Sequence, residues 1–314
     1  MTRILVTGAT GQLARCLDEA HADRSGDAWT LVALGRPQLD VTKPDTLAAS
    51  IDVHEPDVVI NCAAYTAVDA AESHAQQAMA VNADGACSLA KLCARHDVPL
   101  VHISTDYVFD GTKTEPYRES DWVNPTCVYG LSKLRGEEAV AETCTRYAIV
   151  RTGWVYSPFG QNFVKTMLRL AADRDEISVV DDQLGCPTYA RHLADAILKM
   201  AGRISTGTAK DTTLWGTYHA VGNGETSWFG FAEEIFRQST KYGGPNARVL
   251  PISTKEYPTA AKRPLNSRLD CTFLTKRFGI MMPDWRSGTQ ACIARLLSPT
   301  PSIFASEAET GGSQ

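Results

Sequence analysis

The residues most suggestive of chemistry in this sequence are a tyrosine and a lysine four positions apart, Tyr129 and Lys133. On a helix this spacing puts the phenol and the ammonium group on one face, so that both reach the same cavity. A ketone that accepts a hydride also needs a proton, and a free tyrosine holds its proton up to a pKa of about 10. We expect the lysine cation to lower that pKa. The pair predicts a general acid, although a surface pair on an amphipathic helix has the same spacing.

Two adjacent hydroxyl residues could complete this site. Ser104 and Thr105 follow the apolar run at 100–103, and ligands bind at the carboxyl ends of parallel strands. A hydroxyl placed there polarises a carbonyl oxygen, while Lys133 is free to bond the ribose hydroxyls of a nicotinamide cofactor. The predicted catalytic residues are therefore Thr105, Tyr129 and Lys133.

A glycine-containing turn, TGATGQLA at residues 7–14, directly follows the first apolar run. Gly8 and Gly11 allow a tight turn and let a pyrophosphate approach the backbone, and the next helix N-terminus would face the phosphates. Ala14 stands where a third glycine is usual and still permits close helix packing. Apart from its position the pattern fits an ordinary loop equally well. The predicted cofactor-binding residues of the turn are Gly8, Thr10, Gly11, Gln12 and Leu13.

The end of the second apolar run bears on which dinucleotide binds. NAD-selective sites often have a carboxylate here, whereas this chain has Arg36, which could pair with a 2′-phosphate. The arginine favours NADPH and leaves NADH open, and a solvated surface arginine is the alternative. We also expect Asp40 and Val41 to flank the adenine. The segment after the third run has small side chains that could equally serve packing alone, and it completes the predicted cofactor site with Ala63, Ala64 and Tyr65.

Short apolar runs alternate with helical periodicity through the first half of the chain. The runs lie at 4–6, 31–34, 58–60, 100–103 and 148–150. This alternation predicts an α/β fold, a Rossmann-type doubly wound parallel sheet. After Arg151 the elements are mixed, which predicts a smaller mixed α/β C-terminal substrate domain.

These patterns suggest a division of the chain into domains. We expect residues 1–157 to form the NAD(P)-binding domain and residues 158–297 mainly to bind substrate. Segments near 185–220 are expected to pack back onto the first domain. The composition of residues 298–314, rich in Pro, Ser, Thr, Glu and Gly, is typical of a disordered tail.

Composition and charge argue against several classes of function. The net charge is -5 and the pI about 5.8, without a cluster of Lys and Arg, so no nucleic-acid partner is expected. The nine cysteines form no C-x-x-C pair and the seven histidines no H-E-x-x-H spacing, so we expect no metal site. No apolar run reaches the length of a membrane span and no signal peptide precedes the first strand, which predicts a cytoplasmic protein without membrane partners.

Several motifs together closely resemble the dTDP-4-dehydrorhamnose reductase family, within the extended short-chain dehydrogenases. They are TGATGQL at 7–13, NCAAYTAVD at 61–69, STDYVFDG at 104–111, YGLSK at 129–133, RTGWVY at 151–156, NFVKTM at 162–167, DQLGCPT at 182–188 and RPLNSRL at 263–269. The resemblance spans roughly residues 1–297.

This resemblance implies reduction of dTDP-4-dehydro-6-deoxy-L-mannose to dTDP-L-rhamnose, a step toward polysaccharide. Tyr129 would be the acid, Lys133 its tuner and Thr105 the donor to the carbonyl. Trp154 would pack on the sugar, with an ordinary core aromatic as the alternative, and Asp106 could instead only cap a turn. The substrate-binding residues expected on this basis are Ser104, Asp106, Tyr107 and Trp154.

The sequence departs from the family pattern in two places. Family members that form magnesium-bridged dimers use glutamates where this chain has Ala14 to Leu17, Tyr189 to Arg191 and Ala294 to Leu296. Arginines in these stretches argue against such a dimer, so we expect a monomer or a homodimer without bound metal. Gly153 stands where serine is usual, which we interpret as a minor change of packing near Trp154.

Other functions share this scaffold, and fold alone does not choose between them. A 4,6-dehydratase would need an Asp-Glu pair after Thr105, and the sequence there is Asp106 and Tyr107. A 4-epimerase, which reuses a bound cofactor, is not excluded by motif. A non-catalytic regulatory subunit of the methionine adenosyltransferase type is a third possibility, which the complete set of Thr105, Tyr129 and Lys133 disfavours.

Overall fold

The structure of the protein, a computed structural model, describes residues 2–24, 29–206 and 213–298. Beyond Ser298, the predicted disordered tail lies outside the described residues.

Strands and helices alternate along the first half of the chain. The elements are β1 (Thr2–Thr7), α1 (Gln12–Ala22), β2 (Trp29–Leu34), α2 (Pro44–His54), β3 (Val58–Asn61), α3 (Val68–Ala71), α4 (Ala75–Met79), α5 (Gly85–Arg95), β4 (Leu100–Thr105), α6 (Val128–Thr143) and β5 (Tyr147–Thr152). A π-helical turn at Ala80–Asp84 joins α4 to α5, and a 3-10 turn at Asp106–Val108 follows β4.

In the described residues, the second half contains mostly short strands and five α-helices. Its elements are β6 (Val155–Tyr156), α7 (Phe163–Ala171), β7 (Glu176–Val180), β8 (Leu184–Gly185), β9 (Thr188–Tyr189), α8 (Ala190–Thr206), β10 (Gly216–His219), β11 (Thr226–Ser227), α9 (Trp228–Lys241), β12 (Arg248–Ile252), α10 (Thr272–Phe278) and α11 (Trp285–Leu297).

Six of these strands form one parallel sheet in the order β10-β5-β4-β3-β1-β2. The chain winds outward from β1 in both directions, so the strand order reverses between β1 and β3. In such sheets the crevice at the reversal point, outside the carboxyl ends of the strands, is where ligands bind. The predicted α/β fold with a doubly wound parallel sheet is confirmed.

The sheet is covered on both faces because its strands are apolar on both faces. Along β1, Ile4 and Val6 belong to the core cluster that contains α1 and α8, whereas Leu5 belongs to the cluster of α2 and α5. Successive side chains of a strand point to opposite faces, which explains this division. The two clusters hold the carboxyl edge of the sheet in place.

The later part of the chain contributes both to the sheet and to a separate core. Strand β10 pairs in parallel with β5 at the edge of the sheet, and α8 packs on α1. A third cluster is built from α7, α9 and α11 around Phe231 and Trp285. Among the described helices, none combines the length and the apolar character that crossing a bilayer requires.

Candidate active site

The glycine turn after β1 packs directly against the end of β3. Gly8 has a φ of 76°, and a Cβ there would lie 2.9 Å from the backbone N of Ala63. The Thr7 hydroxyl donates to Asn61 at 2.6 Å and accepts from the Ala63 N–H at 3.1 Å, which joins the two strand ends. Helix α1 then begins after Gly11, whose position provides no side-chain cap. The first N–H groups of α1 are thereby available to a phosphate.

Gly8→Ala tests how strictly this turn requires glycine. We expect a loss of about 2–4 kcal/mol in the free energy of unfolding, because left-handed strain adds to a clash with Ala63. Gly243→Ala is the matched control, since Gly243 has a φ of 66° and no atom within 4 Å of the added Cβ. Urea unfolding of both variants measures the difference. Equal losses would contradict the tight packing of Gly8 on Ala63.

The other residues predicted in the turn have distinct positions. Thr10 is exposed, whereas Leu13 is buried in the core under α1. The Gln12 side chain accepts from Ser157 Oγ and Asn162 Nδ2, both at 2.9 Å. Gln12 therefore ties the start of α1 to the loop before α7, so its backbone N–H is what remains for a phosphate.

The segment after β2 brings the three predicted adenine-side residues together. Arg36 is exposed and forms no ion pair within the part of the chain that the structure describes. It lies near Asp40, whose pKa is lowered mainly by the Thr42 hydroxyl and to a lesser extent by Arg36. The Asp40 carboxylate accepts from the Thr42 N–H at 3.0 Å, and Val41 packs on Gly85. Asp40 and Val41 thus hold the shape of the segment that carries Arg36.

The segment after β3 is held by a residue that sequence reasoning missed, Asn82. This buried amide in the π-helical turn accepts from the Tyr65 N–H at 2.8 Å and donates to the Tyr65 carbonyl at 3.0 Å. It also donates to Ser132 at 2.9 Å, next to Lys133. Asn82 thereby fixes Ala63, Ala64 and Tyr65 relative to α6. An amide among the apolar residues at 78–83 was the signal available.

Helix α6 places Tyr129 and Lys133 beside the end of β4. The helix begins after Cys127, whose sulfur accepts from the Gly130 N–H at 3.4 Å. Gly130 lies against the Tyr107 carbonyl, where any side chain would collide. Lys133 is only 2% exposed and donates to the Ile103 carbonyl at 2.7 Å. The phenol of Tyr129 lies near enough to the Thr105 hydroxyl for that hydroxyl to favour the phenolate, so the structure places Thr105 beside Tyr129, with Lys133 one turn further along α6.

The ionisation of the pair differs from the expectation. Burial raises the pKa of Tyr129, and the nearby Thr105 hydroxyl only partly opposes this, so the prediction of a lowered phenol pKa is wrong for this structure. The physical reason is that burial removes water from the phenolate. Burial also lowers the pKa of Lys133 to about 8, against the opposing charge of Glu137. At neutral pH Tyr129 therefore carries the proton that an acid needs.

The turn after β4 holds the remaining hydroxyl and carboxyl groups. Thr105 is its cap, with Oγ1 accepting from the Tyr107 N–H at 3.2 Å and donating to Asp106 Oδ1 at 2.9 Å. The Tyr107 ring meets the Tyr129 ring edge-on, with centroids 5.7 Å apart. The buried hydroxyls of Ser104 and Thr152 have no hydrogen-bond partner among the described residues. Such unsatisfied groups at the carboxyl ends of β4 and β5 fit a polar ligand.

Trp154 packs against a second tryptophan, Trp228, which the sequence analysis did not predict. Its ring stacks on Trp228, with centroids 3.5 Å apart and planes 7° apart, and its Nε1 donates to Ser267 Oγ at 3.1 Å. Trp154 also has a φ of 51°, a left-handed conformation that is uncommon for non-glycine residues. Both rings of the pair remain partly exposed.

Gly153 has a larger structural role than the minor packing change we predicted. A Cβ at this position would lie 2.6 Å from the carboxyl carbon of Asp106. The buried carboxyl group therefore occupies the space that a side chain at 153 would fill, and the interpretation as packing near Trp154 alone is corrected.

Arginines in α1, α8 and α11 form intramolecular contacts. Arg295 makes a double ion pair with Glu19 at 2.8 and 2.9 Å, and Arg191 pairs with Asp23 at 2.8 Å. Arg15 lies over the ring of Phe159 at 3.9 Å. Among the described residues, no group of three His, Cys, Asp or Glu side chains is placed to hold a metal ion.

Comparison with known proteins gives the same family over almost the whole chain. A family model described as the RmlD substrate binding domain matches residues 1–298. A dTDP-4-dehydrorhamnose reductase from Sinorhizobium fredii is 47% identical over 296 residues, which cover 94% of this chain and 98% of that protein.

Solved structures agree with this assignment. The crystal structure of a dTDP-4-dehydrorhamnose reductase from Clostridium acetobutylicum superimposes with a TM-score of 0.86 at 38% identity, covering 94% of this chain and 99% of that one. The reductase from Bacillus anthracis, solved in complex with NADP, has a TM-score of 0.85 at 38% identity and covers 94% and 100%. The chain belongs to the dTDP-4-dehydrorhamnose reductase family.

Proposed function

We propose that this protein reduces the 4-keto group of dTDP-4-dehydro-6-deoxy-L-mannose to give dTDP-L-rhamnose, with NADPH or NADH as the reductant. The observation that carries the proposal is the meeting of a protonated phenol, Tyr129, with the Thr105 hydroxyl at the carboxyl end of β4. Two neighbouring hydroxyl donors are what a ketone oxygen requires as it gains negative charge. The names of the relatives supply the identity of the substrate.

The cofactor would lie across the crevice at the β1 and β3 strand ends. The uncapped first turn of α1 and the glycine turn would hold its pyrophosphate, and the segment fixed by Asn82 would line its other side. When bound, the reduced nicotinamide supplies the hydride. The residues that we predict to bind the cofactor are Gly8, Thr10, Gly11, Gln12, Leu13, Arg36, Asp40, Val41, Ala63, Ala64, Tyr65, Tyr129 and Lys133.

In this proposal each catalytic side chain has one task. Tyr129 donates its proton to the ketone oxygen, and Thr105 donates a hydrogen bond to the same atom. Lys133 is anchored by the Ile103 carbonyl and keeps two further N–H donors for ribose hydroxyls and for the phenolate that remains. The sugar would be bound by Ser104, Tyr107 and Trp154, with residues 158–297 forming most of its surroundings. Asp106 was also predicted to bind the sugar, but it is 2% exposed and lies behind Thr105, so we do not place it in contact with the substrate.

We expect Arg36 to set the preference for NADPH over NADH. Arg36→Ala should lower kcat/KM for NADPH by about tenfold and leave the value for NADH within about twofold, since only the former carries a 2′-phosphate. Arg174→Ala, which removes an exposed arginine after α7, is the control. Steady-state rates with each cofactor measure the ratio, and an unchanged ratio would refute the role of Arg36.

The test of the proposed function follows loss of reduced nicotinamide absorbance with the ketosugar generated in situ. Consumption of cofactor in proportion to dTDP-L-rhamnose formed supports a reductase. An epimerase would interconvert nucleotide sugars without net loss of reduced cofactor. A folded protein that binds cofactor and turns over neither substrate would favour a regulatory subunit. The epimerase result and the regulatory-subunit result would each overturn the proposal.

We further propose that the enzyme works in the cytoplasm as a monomer or a homodimer without a magnesium bridge. The intramolecular ion pairs of Arg191 and Arg295 support the absence of a magnesium bridge, because these arginines occupy the positions where bridging carboxylates would stand. Sedimentation with and without a chelator tests it.

A further inference from the structure

A buried carboxyl group lies behind the proposed donor Thr105. Asp106 is 2% exposed, and it forms no ion pair within the described part of the chain. Its Oδ1 lies 2.9 Å from Thr105 Oγ1. Its Oδ2 makes no well-formed hydrogen bond to any described residue, although the nearby Ser267 hydroxyl favours the charged carboxylate. A carboxylate without a cation in such a place is costly, which favours the neutral acid.

The position of this carboxyl group is set by Gly153. A Cβ on residue 153 would lie 2.6 Å from both Cγ and Oδ2 of Asp106. The backbone of Gly153 is outside the left-handed region, so the absence of a side chain there meets a need for space rather than a need for an unusual φ. The fold therefore keeps the carboxyl group against the strand end, within reach of Thr105.

The hydrogen-bond capacity of Thr105 depends on the charge of its neighbour. A hydroxyl group has one hydrogen to donate and two lone pairs that accept. The Tyr107 N–H already uses one lone pair at 3.2 Å. If Asp106 is a carboxylate it can only accept, so it takes the single hydrogen of Thr105. If Asp106 is a neutral acid it can donate to the second lone pair, and the hydrogen of Thr105 is released.

We propose that Asp106 is a positioning residue that acts in its neutral form, donating to Thr105 so that the Thr105 hydroxyl points its hydrogen at the substrate ketone. This inference rests on the proposed function. Thr105 and Tyr129 then both donate to the same oxygen, and every lone pair and hydrogen of Thr105 is used. Asp106 itself does not touch the reacting atoms and exchanges its proton only with solvent.

The neighbouring ionisable groups leave Asp106 to titrate alone near neutral pH. Burial raises its own pKa to about 6. The groups that face it are Tyr107 on the same turn, Cys127 and Tyr129 at the start of α6, and Cys186 after β8. Burial raises the pKa of all four, so they stay neutral. The anionic dinucleotide and nucleotide sugar raise the pKa of Asp106 further when they bind.

Asp106→Asn tests the proposal, because an amide has the shape of the acid and donates at every pH. In the wild type, kcat should fall by up to about tenfold per pH unit above the pKa of Asp106. The fall should end at the lower rate of the enzyme in which the carboxylate holds the hydrogen of Thr105. The Asn variant should match the wild type within about threefold at pH 6 and lose that alkaline limb. Only the limb of Lys133, near pH 8, should remain. Asp45→Asn, which removes an exposed carboxylate in α2, should retain the wild-type profile.

A second variant acts on the position of the carboxyl group alone. Gly153→Ala should displace it and lower kcat by about tenfold, the order of one misplaced hydrogen bond, with the affinity for NADPH unchanged. In a Thr105→Val background, neither Asp106→Asn nor Gly153→Ala should change the remaining rate by more than about twofold. This loss of effect in the Thr105→Val background, a non-additive result, separates positioning through Thr105 from a general structural effect, which would persist there.

The outcomes distinguish this inference from the proposed function. Wild-type turnover combined with an Asn variant that is at least tenfold slower at every pH would mean that the carboxylate is the working form, and would overturn the inference alone. An alkaline limb that survives in Asp106→Asn would do the same. Absence of wild-type turnover with the ketosugar would remove both proposals.

Discussion

Tyr129→Phe lowers kcat by about two to four orders of magnitude and leaves cofactor binding intact, the expected result if this phenol is the general acid. The change removes only the hydroxyl group, and the ring keeps its edge-on contact with Tyr107. Because burial raises the pKa of Tyr129, the wild-type phenol carries its proton throughout the neutral range. Steady-state kinetics give kcat, and fluorescence titration of NADPH gives the affinity.

Tyr147→Phe is the matched control for this experiment. Tyr147 lies at the opposite end of the sheet, where β5 begins, and is half-buried like Tyr129. We expect its kcat to stay within about twofold of the wild type. Unchanged turnover in Tyr129→Phe would rule out the acid role, whereas equal losses in both variants would indicate a general structural defect.

Glu137→Gln destabilises the protein by about 3–5 kcal/mol, the largest stability effect that we expect from a single isosteric change. Glu137 and Arg151 are 4% and 5% exposed, and their carboxylate and guanidinium groups meet in a double contact with distances of 2.7 to 3.2 Å. Removing the negative charge leaves the Arg151 cation buried and unpaired between α6 and β5. Urea unfolding with linear extrapolation measures the loss.

The next residue along the helix provides the control. Glu138 pairs with Arg135 at 2.7 Å on the exposed side of α6, where both side chains remain 41% or more accessible. Glu138→Gln should cost less than about 1 kcal/mol, because solvent screens an exposed pair. Similar values for the two variants would contradict a buried, unsolvated pair at Glu137. A Glu137→Leu, Arg151→Met double variant should recover part of the loss, since it removes both charges.

The fold could be predicted because local patterns determine it. The run at 58–60 is apolar throughout because both faces of the strand are buried. Between 75 and 95 the apolar residues recur at helical spacing because one face of the helices is buried. The hydrophobic periodicity of the sequence therefore predicts these elements. The position of Gly8 after β1 and the spacing of Tyr129 and Lys133 are likewise local. These features can be predicted without information about residues that are distant in the sequence.

Contacts between distant segments could not be predicted in the same way. Asn82 clamps Tyr65 across 17 residues, and Ser267 meets Trp154 across 113. Neither residue belongs to a local spacing that predicts its partner. Trp228 was missed for the same reason, since its stacking on Trp154 depends on how α9 docks beside the sheet.

By itself the sequence determined the parallel sheet, the glycine turn after β1, and the residue types at the end of β4 and the start of α6. Only the tertiary structure decided how these groups ionise. A lysine beside a tyrosine predicts a lowered phenol pKa, but burial from several elements reverses that direction at Tyr129. The glycine at 153 has a role only because the fold places the Asp106 carboxyl group against it. Local patterns specify backbone and side-chain type, whereas desolvation and available space depend on everything packed around a group.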